Sequence, residues 1–418
     1  MRKSALVLGL CLCTAAAPLH ATTLEEAIAA AKQHAPELEI AEAESDLAKA
    51  QLQQARSGGR PSAILSGSIG TGHLDPKGYF GLTADNLTPA AAQLLIEQPL
   101  FTGGKVSAVV AQARAGTMAA EAGLVAAESG LVANVAGAYG AVIAANSMVR
   151  HFARLVDETD EIERQARLRF GVGESPRTDV AQAQARTAEA RAGLARAEGQ
   201  LVSARARFRS LTGLDGTDLQ PLPANPALPA TLDDAIARAE ANNPQLAQAD
   251  AGVKAAQAGL KAEKAEQLPM VSAFAEGAMV RDQFFPGYKA DSATVGVRAR
   301  WQIFSGGRVS GKIAEGDARL RAAEAQRRAA QDAVREHVIA AFSGVRTATL
   351  VETAAQDQES AAREALRSVR EEVRVGMKPQ LALLDAEREA IAASAALETA
   401  RTERIVSAYR LLALIGPQ

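Results

Sequence analysis

The sequence predicts a mainly α protein with a small β part, built as two internal repeats. Three observations predict it. Thr23-Leu24-Glu25-Glu26-Ala27-Ile28-Ala29 recurs as Thr231-Leu232-Asp233-Asp234-Ala235-Ile236-Ala237. The unit repeated is about two hundred residues long, far beyond the period of a solenoid. Alanine-rich stretches carry apolar residues alternately four and three apart, the spacing of packed helices. Two short stretches alternate apolar and polar residues with period two, which is the signature of a strand.

At 418 residues the chain has room for several domains or for one elongated repeat protein. Its net charge is −2, with no basic block, so nothing invites nucleic acid. Arg2 and Lys3, an apolar run over residues 5–13 and a small-residue stretch ending at Ala21 read as a secretory signal peptide, residues 1–21. Both cysteines, Cys11 and Cys13, lie within it, which removes disulfides and thiolate metal sites from the mature chain. Leu10 and Leu12 precede them where a lipid-anchored protein needs a small residue, so no lipid anchor is expected. Beyond Ala21 no apolar run is expected to reach the ~20 residues of a membrane-spanning helix, so membrane entry would be by strands.

Repeat 1 covers residues 22–213, a Pro-rich linker 214–230, and repeat 2 residues 231–418. Each repeat opens with a capping box, Thr23 with Glu26 and Thr231 with Asp234. Pro36 and Pro244 interrupt the first helix of each. A second helix leads to Pro61 or Pro269 and then to a hairpin, residues 61–101 and 269–304. The clearest strand spans residues 292–304: Ala293, Val295, Val297, Ala299, Trp301 and Ile303 share one face, and Thr294, Arg298, Arg300 and Gln302 the other. In repeat 1, Ala92, Leu94, Ile96 and Leu100 form the apolar face, with Leu95 as an exception. Gly/Pro/Asp-rich loops over residues 72–89 and 281–291 join the strands.

Nine of the fifteen aromatics fall in the hairpins. Phe101, Trp301 and Phe304 lie at one end, and Tyr79, Phe80, Phe284, Phe285 and Tyr288 towards the other; Phe274 is the ninth. Two aromatic girdles about an apolar band mark a membrane barrel. An aromatic core in a small soluble sheet is the alternative, but two isolated hairpins make a poor core.

Each hairpin ends in a repeated motif: Phe101-Thr102-Gly103-Gly104-Lys105 and Phe304-Ser305-Gly306-Gly307-Arg308. The glycine pairs let the backbone turn sharply, so these are read as strand–helix hinges. Long helices follow, residues 104–172 and 307–374, each about 100 Å if wholly helical. Leu131, Val135, Ala138, Val142, Ala145, Val149, Phe152 and Val156 form the seam of the first, and Val334, Val338, Ala341, Val345 and Ala348 that of the second. Breaks at Gly171–Pro176 and Val375–Pro379 send return helices, residues 177–211 and 380–414, back antiparallel.

No catalytic constellation emerges. Gly306-Gly307-Arg308-Val309-Ser310-Gly311-Lys312-Ile313 nearly spells a phosphate loop, but Ile313 stands where the motif needs Ser or Thr for Mg²⁺. The five histidines lack ligand spacing. No nucleophile elbow is present. The reading is of no enzyme, no cofactor and no metal.

The duplicated Thr-Leu-x-x-Ala-Ile start, the Pro-Leu-Phe-x-Gly-Gly and Gln-Ile-Phe-x-Gly-Gly hinges and the Val-Gly tips together resemble the TolC family of outer-membrane efflux and secretion channels, over essentially the whole mature chain. The resemblance implies a homotrimer in the Gram-negative outer membrane. Each protomer would give four strands to one shared twelve-stranded transmembrane β-barrel, which continues into a long periplasmic α-helical barrel. It implies a periplasmic adaptor (membrane fusion) protein docking at Val172-Gly173-Glu174 and Val375-Gly376-Met377, and an inner-membrane transporter of RND or ABC type as partner. It also implies a periplasmic gate. The family's inner Asp maps onto Asp385, its other Asp is replaced by Ala382, and Lys378 stands where some members carry a basic gate-locking residue. The function implied is a passive exit duct for small molecules. Type I protein secretion and a non-pore periplasmic coiled-coil scaffold are the competing readings.

Overall fold

The computed structural model describes residues 21–75, 85–285 and 287–416. The expected signal peptide up to His20, with Cys11 and Cys13, and the aromatics Tyr79 and Phe80 lie outside the described residues.

Helices α1 (Leu24–His34) and α2 (Pro36–Ser57) lead to strands β1 (Ser62–Ile69), β2 (Gly72–Leu74), β3 (Asp85–Leu87) and β4 (Ala90–Phe101). Helices α3 (Lys105–Gly171) and α4 (Arg177–Thr212) close the first repeat. The second runs α5 (Leu232–Asn242), α6 (Pro244–Ala265), β5 (Met270–Arg281), β6 (Lys289–Arg300), α7 (Arg308–Arg374) and α8 (Gln380–Ile415). The first capping box closes in both directions: Thr23 N donates to Glu26 Oε2 at 2.9 Å, and Glu26 N to Thr23 Oγ1 at 3.1 Å. In the second, Asp234 N donates to Thr231 Oγ1 at 3.2 Å, but the shorter Asp234 carboxylate accepts from Arg238 Nε instead.

Two expectations about the hairpins change. The stretch 72–89 is not all loop, because β2 and β3 form a small antiparallel ladder within it. The strand expected over 292–304 stops at Arg300. Beyond it the Trp301 indole turns back and donates to the Gln267 carbonyl at 3.0 Å.

The chain divides into two compact units. One holds α1, residues 134–225 and 348–406; the other holds residues 35–133, 226–347 and the end of α8 from Ser407. In the first, small residues form the helix contacts: Ala362 packs with Ala390 and Ala393, and Ala355 with Leu397 and Ala400. The seam of α7 keeps its spacing through Val334, Val338, Ala348, Ala355, Glu359 and Ala362, all buried, with Ala341 and Val345 half-buried among them. The seam of α3 does not. It holds from Leu131 to Ala145, but Phe152 and Val156 are only half-buried, and burial passes to Leu155, Thr159 and Ile162. Phe152 explains the shift, since its ring lies where a side chain at Gly193 of α4 would be, 2.4 Å from an ideal Cβ.

Tyr139 was not singled out by the sequence, yet it is fully buried. Its ring meets Phe208 edge-on at 6.1 Å. Its hydroxyl lies 2.8 Å from the carbonyl oxygens of both Thr22 and Gln220, fastening the start of repeat 1 to the linker. Burial pushes the phenol up to about 12. The expectation of no long apolar helix also needs correction. Part of α3 is apolar enough, by length and composition, to cross a membrane. That stretch is a packing seam, with Leu131, Val135, Tyr139 and Val142 buried against protein.

In the second unit, β1, β4, β5 and β6 form one antiparallel sheet in the order β1-β4-β5-β6. Its register aligns Leu65, Leu94, Gly277 and Ala293 in one row, and Ala63, Ile96, Ala275 and Val295 in the next. Residues paired across strands point the same way, so one face is apolar from edge to edge. The other face carries Gln93, Glu97, Ser272, Glu276, Arg298 and Arg300. The apolar face is the bare one: Leu65 is 77% exposed and Val295 84%. Phe274 pairs with Glu97 and so falls on the polar face. At the loop end Tyr288 meets Phe284 and Phe285 edge-on at 5.1 and 5.2 Å.

Candidate functional site

The hinge motif acts the same way in both repeats. Gly103 and Gly104 have φ of 62° and 84°, and Gly306 and Gly307 have 58° and 87°. These left-handed values turn each strand into a helix at little steric cost only for glycine. The Thr/Ser of the motif caps the helix that follows, with Val106 N near Thr102 Oγ1 and Val309 N near Ser305 Oγ, both at 3.4 Å. Gly103 is also a close approach, because a Cβ there would sit 2.7 Å from Leu268 Cβ and 2.9 Å from the Ala265 carbonyl. Phe101 and Phe304 are 48% and 86% exposed.

The basic residue that follows each glycine pair opens a long helix, where the macrodipole disfavours a cation. One carboxylate answers both. Glu266, just after α6, accepts from Lys105 Nζ at 3.2 Å, Arg308 Nη1 at 2.9 Å and Lys312 Nζ at 2.9 Å. Hydrogen bonds from Lys312, then Arg308, hold its carboxyl down to about 2; partial burial opposes them and Lys105 adds to them.

The tips are a second repeated device. At the end of α3, Gly173 N donates to Phe170 O at 3.0 Å and Glu174 N to Arg169 O at 2.8 Å. At the end of α7, Gly376 N donates to Val373 O at 3.0 Å and Met377 N to Glu372 O at 2.8 Å. Both are Schellman caps, with Gly173 and Gly376 at φ of 80° and 77°. They hold Val172, Glu174, Val375 and Met377 out in solvent.

The two expected gate residues are not brought together. Lys378 pairs with Glu372 at 2.7 Å. Asp385 lies 3.8 Å from Arg186, whose closer partner is Glu189 at 2.9 Å. Asp385 borders a cavity of about 710 Å³ with Phe152, Leu155, Arg186 and Arg388. Two residues along α8, an unexpected charged group is buried. Arg370 Nη2 of α7 reaches Glu387 Oε1 at 2.6 Å and Glu158 Oε1 of α3 at 3.1 Å. One guanidinium is shared by two carboxyls, so the ion pair does not keep Glu387 acidic. Burial first, and then the hydrogen bond and repulsion from Glu158, push Glu387 up to about 7 against the pull of Arg370. Among the described residues no group of three or more His, Cys, Asp or Glu side chains is placed to hold a metal ion.

A sheet with a bare apolar face, entered and left through glycine hinges and long helices, has the make-up of an outer-membrane channel protein. The chain belongs to the outer membrane efflux protein family, which matches residues 27–214 and 235–417, the two repeats in turn. It is 29% identical over 364 residues to outer membrane efflux protein BepC of Brucella suis biovar 1 (strain 1330), covering 87% of this chain and 78% of that one. Solved structures share the TolC-type fold. The Campylobacter jejuni CmeC outer membrane channel superposes with a TM-score of 0.82 at 16% identity, covering 94% of this chain and 85% of that one. A membrane protein from Pseudomonas aeruginosa gives 0.80 at 20%, covering 96% and 98%. The open state of the Neisseria gonorrhoeae MtrE outer membrane channel gives 0.75 at 22%, covering 94% and 89%.

Glu266→Gln leaves three cations sharing a neutral amide. It is expected to lower stability at pH 7 by about 1–2 kcal/mol, read as a fall in thermal midpoint of the detergent-solubilised protein. Because the Glu266 carboxyl is depressed from the usual 4.5 to about 2, its contribution is full above 4.5 and lost as pH falls towards 2. The gap between the two proteins should therefore close in acid, and a constant gap would contradict the assignment. Glu387 has the opposite sign. Its carboxyl is raised from 4.5 to about 7, so its stabilising effect is greatest below 4.5 and is lost as pH rises to 7. Glu387→Gln should flatten the fall in thermal midpoint between pH 5 and 7, and an unchanged slope would refute the reading.

Proposed function

We propose that this chain is the exit duct of a tripartite export system for small molecules. The observation that carries the reading is the sheet: among the described residues its apolar face is bare across all four strands, and its outer strands β1 and β6 each keep an unpaired edge. Backbone edges cannot stay open in lipid, and four strands cannot close on themselves. Three copies give twelve strands and remove every edge. The apolar face then meets lipid and the polar face lines the pore.

The helical tips are the docking surface for a periplasmic adaptor, supported by the exposed Val172, Val375 and Met377 held out by the Schellman turns. An inner-membrane transporter of RND or ABC type supplies the energy. Asp385, which is 63% exposed at its side chain, contributes one carboxylate per copy to an entrance ring that favours cations. Lys378 and Glu372 brace the turn beside it.

The test is export by cells carrying Gly173→Leu and Gly376→Leu. A side chain at these φ values is strained and reshapes the tip. Export should fall at least tenfold, while trimers in the outer membrane remain at normal abundance. Normal export by both variants would sink the docking role. In planar bilayers, Asp385→Ala should lose block by divalent cations, and block that persists would remove Asp385 from the entrance.

A further inference from the structure

The polar face of the sheet holds charges that do not neutralise one another. Arg300 pairs with Met270 at the hinge end, and Arg298 with Ser272 in the next row on that face. The row after holds Glu97 beside Phe274 and Gly296, and the following row Glu276 beside Thr294. Two guanidinium rows next to the hinge are thus followed by two carboxylate rows.

Three of these four charges are held by a neutral partner. The Arg298 guanidinium lies over the Phe274 ring, 4.6 Å from its centroid. The ring rests on Gly296 of the adjacent strand, where a Cβ would sit 3.1 Å from it. Glu97 Oε1 accepts from Ser272 Oγ at 2.6 Å, and Glu276 Oε1 from Gln93 Nε2 at 2.8 Å. Among the described residues no ion pair joins the two arginines to the two glutamates. Such a face keeps its field instead of cancelling it, and a low-dielectric wall behind it focuses that field into the lumen.

We infer that the barrel lumen carries a two-tier electrostatic filter, distinct from the Asp385 entrance. Arg298 and Arg300 form a guanidinium collar at the hinge end that attracts organic anions. Glu97 and Glu276 form a carboxylate tier beyond it. Phe274 is a positioning residue that holds Arg298 flat, and the planar guanidinium so held gives aromatic anions a cationic surface to stack on. The inference rests on the duct reading above.

The experiment is single-channel recording of the purified full-length protein in planar bilayers under a KCl gradient, with naphthalene-2-sulfonate as the organic anion. Arg298→Gln with Arg300→Gln should shift the reversal potential towards cation selectivity and weaken naphthalenesulfonate block at least fivefold. Glu97→Gln with Glu276→Gln should shift it the other way. Arg298→Lys with Arg300→Lys should keep the anion preference, since the charge remains. Phe274→Leu should weaken block while leaving trimers and conductance steps intact, which a merely structural role would not do. Normal conductance steps with unchanged reversal potential and block in both neutralised variants would overturn the filter. Absence of any conductance from the unaltered protein would overturn the duct reading itself, and the filter with it.

Discussion

The structure depends on a constraint of lipid on backbone. Every strand N–H and C=O within a hydrocarbon layer must find a partner. Here β4 and β5 are paired on both sides, while β1 and β6 each lack a neighbour on one side among the described residues. The same sheet leaves one face, with Leu65, Leu94, Ile96, Val295 and Val297, exposed among the described residues. The closed ring of sheets proposed above, surrounded by lipid, would supply both the neighbours and the cover. Duplication of the chain fits that answer, since each copy of the repeat gives one hairpin and one helical hairpin.

The hinges solve the next problem, which is to pass from a strand to a long helix without a flexible link. Glycines at positive φ set the turn, and Thr102 or Ser305 caps the helix beyond it. Lys105 and Arg308 sit where the helix dipole opposes them, and Glu266 joins them across the two repeats. That cross-tie makes the two hinges one mechanical unit. Rigidity at the hinge is matched by exposure at the tips, where Schellman turns fix the backbone and leave the side chains free.

Local features were legible in the sequence because they are local. The glycine pairs, the Ala293–Ala299 alternation and the Thr23 cap all act within a few residues of themselves. Glu266 was not legible. It has no counterpart in the first repeat, where Gly58 holds the matching position, and its partners stand 161, 42 and 46 residues away. Glu158, Arg370 and Glu387 were hidden for the same reason, being three ordinary helix charges until three helices meet. The face that Phe274 takes was not legible either, because strand register, not its own neighbours, decides it. The seam of α3 moved at Phe152 because a ring of that size needs a glycine opposite, and Gly193 lies on another helix.

The central claim is that β6 of one copy pairs with β1 of the next until three copies close. The sequence makes it testable, because its only cysteines are Cys11 and Cys13 in the leading segment. A panel of double variants would carry one cysteine among residues 62–69 and one among 289–300, oxidised in isolated outer membranes. Adjacent strands bring some of these pairs within disulfide reach. The account predicts covalent dimers and trimers and nothing larger, for those pairs in register. Monomers across the whole panel, or a ladder continuing beyond three, would contradict it.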